Sequence, residues 1–195
     1  MKPVLVIYAT REGQTRHIAE HLGTALGVKQ HPCQLIDAAH IPKGFTLTEY
    51  SAAIVCASLH MGKYEAEMAK FVKRHLADLQ EMPSAFLSVS LAEASVEDAN
   101  TRPEYRAEAE VHVKKATAAF LAETGWVPSL VTAAAGALMY SKYNFLTRFI
   151  MKRIARKTGR PTDTTQDYEY TDWSRLDRLA EEFAHSVPVE TRVRA

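Results

Sequence analysis

The sequence predicts a doubly wound three-layer α/β fold, with five parallel strands in the order 2-1-3-4-5 and helices on both faces of the sheet. Three observations carry that expectation. Short apolar runs rich in β-branched residues alternate along the chain with segments of helical period, a pattern that requires parallel pairing through right-handed crossovers. The first of these runs is continuous rather than alternating, as in a strand covered on both faces. The chain has 195 residues, 47% hydrophobic and 24% charged, which suits one domain spanning 1–195 with a buried core and excludes a disordered chain.

Residues 3–9 form the first strand, centred on Val4-Leu5-Val6-Ile7-Tyr8. After a loop at 10–15, Ile18, Ala19, Leu22, Ala25 and Leu26 recur at helical spacing and Gly27 ends the pattern. Residues 33–36 read as the second strand. Residues 37–51 are irregular, with Pro42 and Gly44, and a third strand follows at 52–57. A helix over about 64–79 stops ahead of Pro83, and 85–89 is the fourth strand. Residues 91–103 carry Glu93, Glu97, Asp98, Asn100 and Pro103 and read as a polar loop or loose first turn. A helix over about 104–123 comes next, capped by Gly125. The fifth strand is 127–135, and Thr171-Asp172-Trp173 supplies an N-cap for a closing helix that runs to about Ser186.

The 24 Lys and Arg balance 23 Asp and Glu to a net charge of +1, which excludes a basic nucleic-acid coat and an acidic tail. No nucleic-acid partner is expected. Cys33 and Cys56 match neither a redox pair nor a zinc spacing, so neither a disulfide nor a metal site is expected and a reducing compartment is the default. The N-terminus reads as a strand rather than a signal segment, and no apolar run reaches the roughly 18–20 residues that span a bilayer. The expected location is the cytoplasm, either free or peripheral on the cytoplasmic face of the inner membrane.

In sheets of this topology ligands bind at the carboxyl ends of the strands, where the winding reverses, so the loops after strands one, three and four should form the site. The first loop is Thr10-Arg11-Glu12-Gly13-Gln14-Thr15. Hydroxyls at both ends and an internal glycine let backbone N–H groups turn toward a phosphate at a helix N-terminus. The alternative is an ordinary turn with a threonine cap; neither a Walker loop nor a G-x-G-x-x-G fingerprint is present. The second loop is Ser58-Leu59-His60-Met61-Gly62-Lys63-Tyr64 and the third opens with Ser88-Val89-Ser90-Leu91. A flat aromatic cofactor would find walls in His60 and Tyr64. The competing readings are a surface histidine and a tyrosine at a helix start packed on the sheet.

These loops, with Met82-Pro83-Ser84-Ala85-Phe86, Ala135-Gly136-Ala137-Leu138 and Tyr170-Thr171-Asp172-Trp173, resemble the flavodoxin-like menaquinone-dependent protoporphyrinogen dehydrogenases of bacterial haem synthesis. The match runs from the first strand to the last helix. Where that family usually has Asp, this chain has Glu12, which keeps the charge and lengthens the side chain. The resemblance implies a flavodoxin-like fold and non-covalent FMN, with the phosphate on Thr10 to Thr15. The ring would lie between Ser58, Leu59, His60, Met61, Gly62 and Tyr64 on one side and Ser88, Val89, Ser90 and Leu91 on the other. It also implies oxidation of protoporphyrinogen IX, with electrons passed to menaquinone or ubiquinone in the membrane.

A plain flavodoxin would pass almost directly from its fifth strand into its last helix. Here an insertion of about 136–170 intervenes, expected to be helical. Lys142, Arg148, Lys152, Arg153, Arg156, Lys157 and Arg160 place seven positive charges within 142–160, which holds no acid, whereas 91–110 carries a local net charge of −4. Arg148, Lys152 and Arg156 align on one side of a helix, and Leu146, Ile150 and Ile154 on another; Gly159 and Pro161 end it. Such a helix either lies in the headgroups of an anionic membrane, or packs on the sheet or a second subunit in a homo-oligomer, or offers its cations to the porphyrinogen propionates. Tyr140, Tyr143, Phe145 and Phe149 are either packing aromatics or walls for a large flat substrate.

The expected mechanism leaves redox chemistry to the flavin, with porphyrinogen over the exposed ring face and His60 as the best candidate for proton transfer. The competing functions are an NAD(P)H-quinone reductase on the same scaffold, a one-electron flavodoxin shuttle, and a flavin-free interaction module. Shuttles tend to be acidic for docking to basic partners, so the basic insertion counts against that reading.

Overall fold

In the computed structural model, which describes residues 1–188, β1 (Val4–Ala9) is buried along its whole length. It is followed by α1 (Gln14–Val28), β2 (Cys33–Asp37) and β3 (Ala52–His60), then β4 (Lys63–Tyr64), α2 (Ala66–Arg74) and α3 (Leu76–Glu81). The chain continues through β5 (Ser84–Ser90), α4 (Leu91–Glu97), α5 (Pro103–Thr124) and β6 (Leu130–Ala135). It then forms β7 (Ala137–Leu138), α6 (Phe145–Lys157), β8 (Tyr168–Glu169) and α7 (Trp173–Ala184). The parallel order is β2-β1-β3-β5-β6, the expected 2-1-3-4-5 with the short β4 set apart.

The period-two alternation of each strand divides the core into two. Val4, Val6, Ile54 and Leu87 pack under α1 and α7, against Ile18, Leu22, Leu179 and Phe183. Leu5, Ile7, Val55 and Phe86 pack on the other face against Met68, Phe71, Phe120 and Trp126. The register sets Ala9 opposite Ala57 and Ser58 opposite Val89, so the carboxyl ends of β1, β3 and β5 finish side by side.

Four expected boundaries are corrected. The third strand runs three residues further, to His60, because Met61 (φ 50°) and Gly62 (φ 79°) make a two-residue hairpin turn into β4. Tyr64 is therefore a strand residue, and the helix expected over 64–79 begins at Ala66 and is interrupted at His75. Residues 91–97 are a helix, not a loop, because the Ser90 hydroxyl accepts from the Glu93 N–H at 3.0 Å and caps it. β6 starts at Leu130 rather than 127, since Pro128 lacks an N–H for the ladder.

The insertion is helical only in part. β7 and β8 pair antiparallel and frame it, and its own core of Leu138, Tyr140 and Ala155 packs with Tyr143, Met151, Tyr168 and Tyr170. Leu91, the first residue of α4, joins that cluster. The insertion thus sits at the carboxyl end of the sheet, beside the end of β5.

Candidate functional site

The loop after β1 is built on Gly13, whose φ of 105° is a left-handed conformation that a side chain would strain. Thr10 Oγ1 accepts from the Gly13 N–H at 3.0 Å and closes the turn. The amides of Arg16 and His17 return to the Gly13 carbonyl at 3.1 and 3.2 Å. No side chain caps α1 and no acid lies in its first turn. The orphan amides of that turn and the positive end of the helix dipole are therefore left for an anion. Across the gap the Ser58 hydroxyl is buried without a hydrogen-bond partner. An uncapped helix start and an unused buried hydroxyl fit a phosphate-bearing cofactor.

Gln14 and Thr15 are buried. The Gln14 amide is committed inward, donating to Thr171 Oγ1 at 2.9 Å, and the Thr171 hydroxyl donates to the Ala135 carbonyl at 2.8 Å. The first turn of α1 is thereby tied to the end of β6 and to the point where the insertion returns.

Arg11, Glu12, His60 and Glu65 meet at the mouth of this loop. His60 Nε2 lies 3.1 Å from a Glu12 carboxylate oxygen and 3.8 Å from Glu65. Arg11 reaches both Glu65 oxygens at 3.1 Å. Glu65 precedes the first turn of α2, so its backbone position follows directly from the hairpin; the sequence reading overlooked it, although an acid just before a helix is a recognisable start signal.

Several expected ring contacts lie elsewhere. Tyr64 is not a wall: its ring packs edge-on against Phe86 and Phe120 at 5.2 and 5.0 Å. Its hydroxyl donates to Ser88 Oγ at 2.8 Å and contacts Thr117 Oγ1 at 2.9 Å. Burial pushes that phenol up. Ser88 is consumed by this core bond and Ser90 by the α4 cap, while Leu59 and Val89 point into packed clusters on opposite faces of the sheet. Met61 is fully exposed at the hairpin tip beside Gly62, and Leu91 is half-buried facing the insertion. Of the expected site residues, Arg11, Glu12 and His60 are brought into contact at the mouth, with Ser58 and the Met61-Gly62 turn on the same strand and hairpin as His60.

In the insertion, Tyr140 is wholly buried and donates to the Pro161 carbonyl at 3.2 Å, so it is a packing residue and not an open wall. Tyr143 is close enough to the β1–α1 loop to feel the Glu12 charge; burial, with a smaller contribution from that charge, pushes its phenol up to about 12. One nitrogen of the Arg148 guanidinium donates to the Tyr143 carbonyl at 3.2 Å while its buried Nε has no hydrogen-bond partner; Lys152 is half-buried and Arg156 is exposed. The outer side of α6 is unusual: Phe145, Leu146, Phe149 and Ile150 are 87%, 66%, 61% and 48% exposed. The apolar side thus faces solvent, interleaved with Arg153, Arg156 and Lys157, and does not pack on the sheet.

A second charged group was missed as a unit. Glu93 is buried, and Arg175 at the start of α7 lies 2.6 Å from Glu97 and 3.5 Å from Glu93. Burial pushes both carboxyls up, and Arg175 opposes that shift. Burial also pushes the Cys33 thiol up to about 11 and the Cys56 thiol higher, so both stay protonated and weakly nucleophilic. Among the described residues no group of three or more His, Cys, Asp or Glu side chains is arranged to hold a metal.

A sheet wound in this order, with an anion-ready loop after its first strand and an aromatic insertion beside it, defines a flavodoxin-type protein. Residues 5–165 match the flavodoxin domain family. A solved flavodoxin of Streptococcus pneumonia TIGR4 superposes with a TM-score of 0.52 over 94% of this chain and 99% of that one, at 16% identity, a likeness of fold alone. A protein of Leishmania major named protoporphyrinogen IX dehydrogenase [quinone] is 34% identical over 181 residues, covering 92% of this chain and 74% of that protein. A protein of the same name from Escherichia coli (strain K12) is 33% identical over 182 residues, 93% of this chain and 94% of its own. The chain belongs to the flavodoxin family and, within it, to the family of the protoporphyrinogen IX dehydrogenases [quinone].

Proposed function

We propose that this protein binds FMN and oxidises protoporphyrinogen IX to protoporphyrin IX in haem biosynthesis, with a membrane quinone as electron acceptor. One observation carries the reading: the similarity to the Escherichia coli dehydrogenase covers 93% of this chain. That share is too large to leave out the insertion at 136–170. The insertion separates this chain from a plain flavodoxin and stands beside the phosphate loop.

FMN, when bound, supplies a two-electron acceptor. Thr10 to Thr15 would hold its phosphate through the first-turn amides of α1, and the unpartnered Ser58 hydroxyl would donate to it from β3. The Met61-Gly62 turn and Leu91 would border the ring, in place of Tyr64. Tyr143, Leu91 and Met151, part-buried on the core of the insertion, would offer an apolar border to a flat tetrapyrrole.

The exposed side of α6 lies in the headgroup region of an anionic membrane, on the cytoplasmic face. Phe145, Leu146, Phe149, Ile150 and the exposed Ile154 are costly in solvent unless covered, and the cations among them match a negative surface, each contributing on the order of 1 kcal/mol. No helix among the described residues is long and apolar enough to cross a membrane, so this contact is peripheral. A quinone dissolved in the bilayer is within reach of such a surface.

The test reconstitutes the apoprotein with FMN and follows protoporphyrin fluorescence on adding protoporphyrinogen with and without a menaquinone analogue. Quinone-dependent product formation supports the reading. Rapid flavin reduction by NADH would favour the NAD(P)H-quinone reductase instead, and failure to take up FMN would overturn both.

A further inference from the structure

A carboxylate is an unexpected side chain in a loop that holds a phosphate dianion, and Glu12 occupies such a position. The groups around it come from every neighbouring element. Arg11 in the same loop is engaged by Glu65. Arg16 in α1 is paired with Glu20 at 2.7 Å. Lys63 in β4 is exposed, His112 in α5 faces the Gly62 turn, and Tyr143 in the insertion holds a neutral phenol. None of these neutralises Glu12. His60 is the group that faces it, at 3.1 Å, with Glu65 at 3.8 Å on the same nitrogen. His60 Nε2 and Glu65 Oε1 are both buried and make no hydrogen bond, so charge is what the contact has to offer.

With a neutral imidazole, Arg11, Glu12, His60 and Glu65 carry one net negative charge at the mouth of an anion site; with an imidazolium they carry none. Histidine is the side chain whose charge changes between pH 5 and 8. Resting on the FMN reading above, we propose that His60 is a positioning residue whose protonation is coupled to FMN binding. As imidazolium it bridges Glu12 and Glu65, screens the Glu12 carboxylate from the phosphate, and staples the phosphate loop to the β3–β4 hairpin. The coupling is reciprocal, so bound phosphate holds the proton on His60 and a rising pH weakens FMN binding.

The test measures the FMN dissociation constant of the full chain by flavin fluorescence quenching at pH 6 and pH 8, for the wild type, His60→Gln and His60→Arg. Thermal melts check that each variant is folded. Ionisation of the FMN phosphate itself is common to all three, so the difference between proteins isolates His60. The wild-type constant is expected to rise about tenfold more than that of His60→Gln, the factor that one unit of proton linkage gives. His60→Arg, with a fixed charge, is expected to bind about as the wild type does at pH 6 and to show the shallower pH slope of His60→Gln, which leaves only the ionisation of the FMN phosphate. If His60→Gln weakens binding equally at both pH values, or keeps the wild-type slope, the coupling is overturned. Folded protein that binds no FMN in any variant at either pH overturns the cofactor reading, and the coupling with it.

Discussion

The Gln14 side chain donates to the Thr171 hydroxyl at 2.9 Å, joining two residues 157 positions apart in the chain. Thr171 passes the link to the Ala135 carbonyl. The start of α1, the end of β6 and the return of the insertion are therefore one mechanical unit. Thr171→Val keeps the shape and removes both bonds, leaving the part-buried Gln14 amide without its partner. A loss of about 1–2 kcal/mol is expected in urea unfolding, together with weaker FMN binding. Thr171→Ser, which retains the hydroxyl, is expected to behave as wild type.

Gly13 tests the backbone of the same loop. A Cβ there would meet nothing within 4 Å, but φ is 105°, so the cost of Gly13→Ala is conformational rather than steric. About 1–2 kcal/mol of destabilisation is expected, read as a lower urea midpoint. FMN affinity should fall further than stability, because relaxation of the loop would move the first-turn amides of α1 proposed to hold the phosphate.

The Glu93–Glu97–Arg175 group should give stability a pH dependence of definite sign. Burial holds both carboxyls above their ordinary range, so folding favours their protonated forms. Their cost is absent below the unfolded value near 4.5 and grows as pH rises through the raised values. Arg175 limits that cost. Arg175→Met is expected to destabilise by about 1–3 kcal/mol at pH 7, below the figure for a fully buried pair because Arg175 is part-exposed. Near pH 4.5 the difference from wild type should shrink, and urea melts at the two pH values measure it. Adding Glu93→Gln to that variant should restore part of the loss at pH 7.

The outer side of α6 separates membrane contact from stability. Leu146→Glu with Phe149→Glu alters two side chains that are mostly in solvent, so the melting temperature should hardly move. Binding to vesicles of anionic lipid should fall at least tenfold, since each side chain buried in the interface contributes roughly 1.5–3 kcal/mol. Wild-type binding should weaken as salt is raised. Equal binding by wild type and variant would remove α6 from the membrane.

The strand order was legible because strands buried on both faces appear as apolar runs that need no long-range information. The finer boundaries depended on contacts the sequence does not display. Tyr64 reads equally well as a helix start; two positive φ angles at Met61 and Gly62 decide for a strand. Glu93 looks like a loop acid until Arg175, 82 residues later, is brought to it. The turn from β1 into α1 was legible as a local unit, whereas the packing of Tyr64, Ser88 and Tyr140 was not. Strand alternation sends Leu59, Ser88 and Val89 inward although they neighbour Ser58 and Leu91, and an aromatic such as Tyr140 carries no mark of whether it faces a ligand or its own core.

The central claim is flavin-mediated oxidation of a porphyrinogen, and a visible spectrum of the purified protein under anaerobic conditions tests it most directly. The protein is expected to show the absorption bands of bound FMN, which should bleach on addition of protoporphyrinogen as protoporphyrin bands appear, and return on adding quinone. A flavin band that protoporphyrinogen leaves unchanged, in protein that still binds FMN, would contradict it.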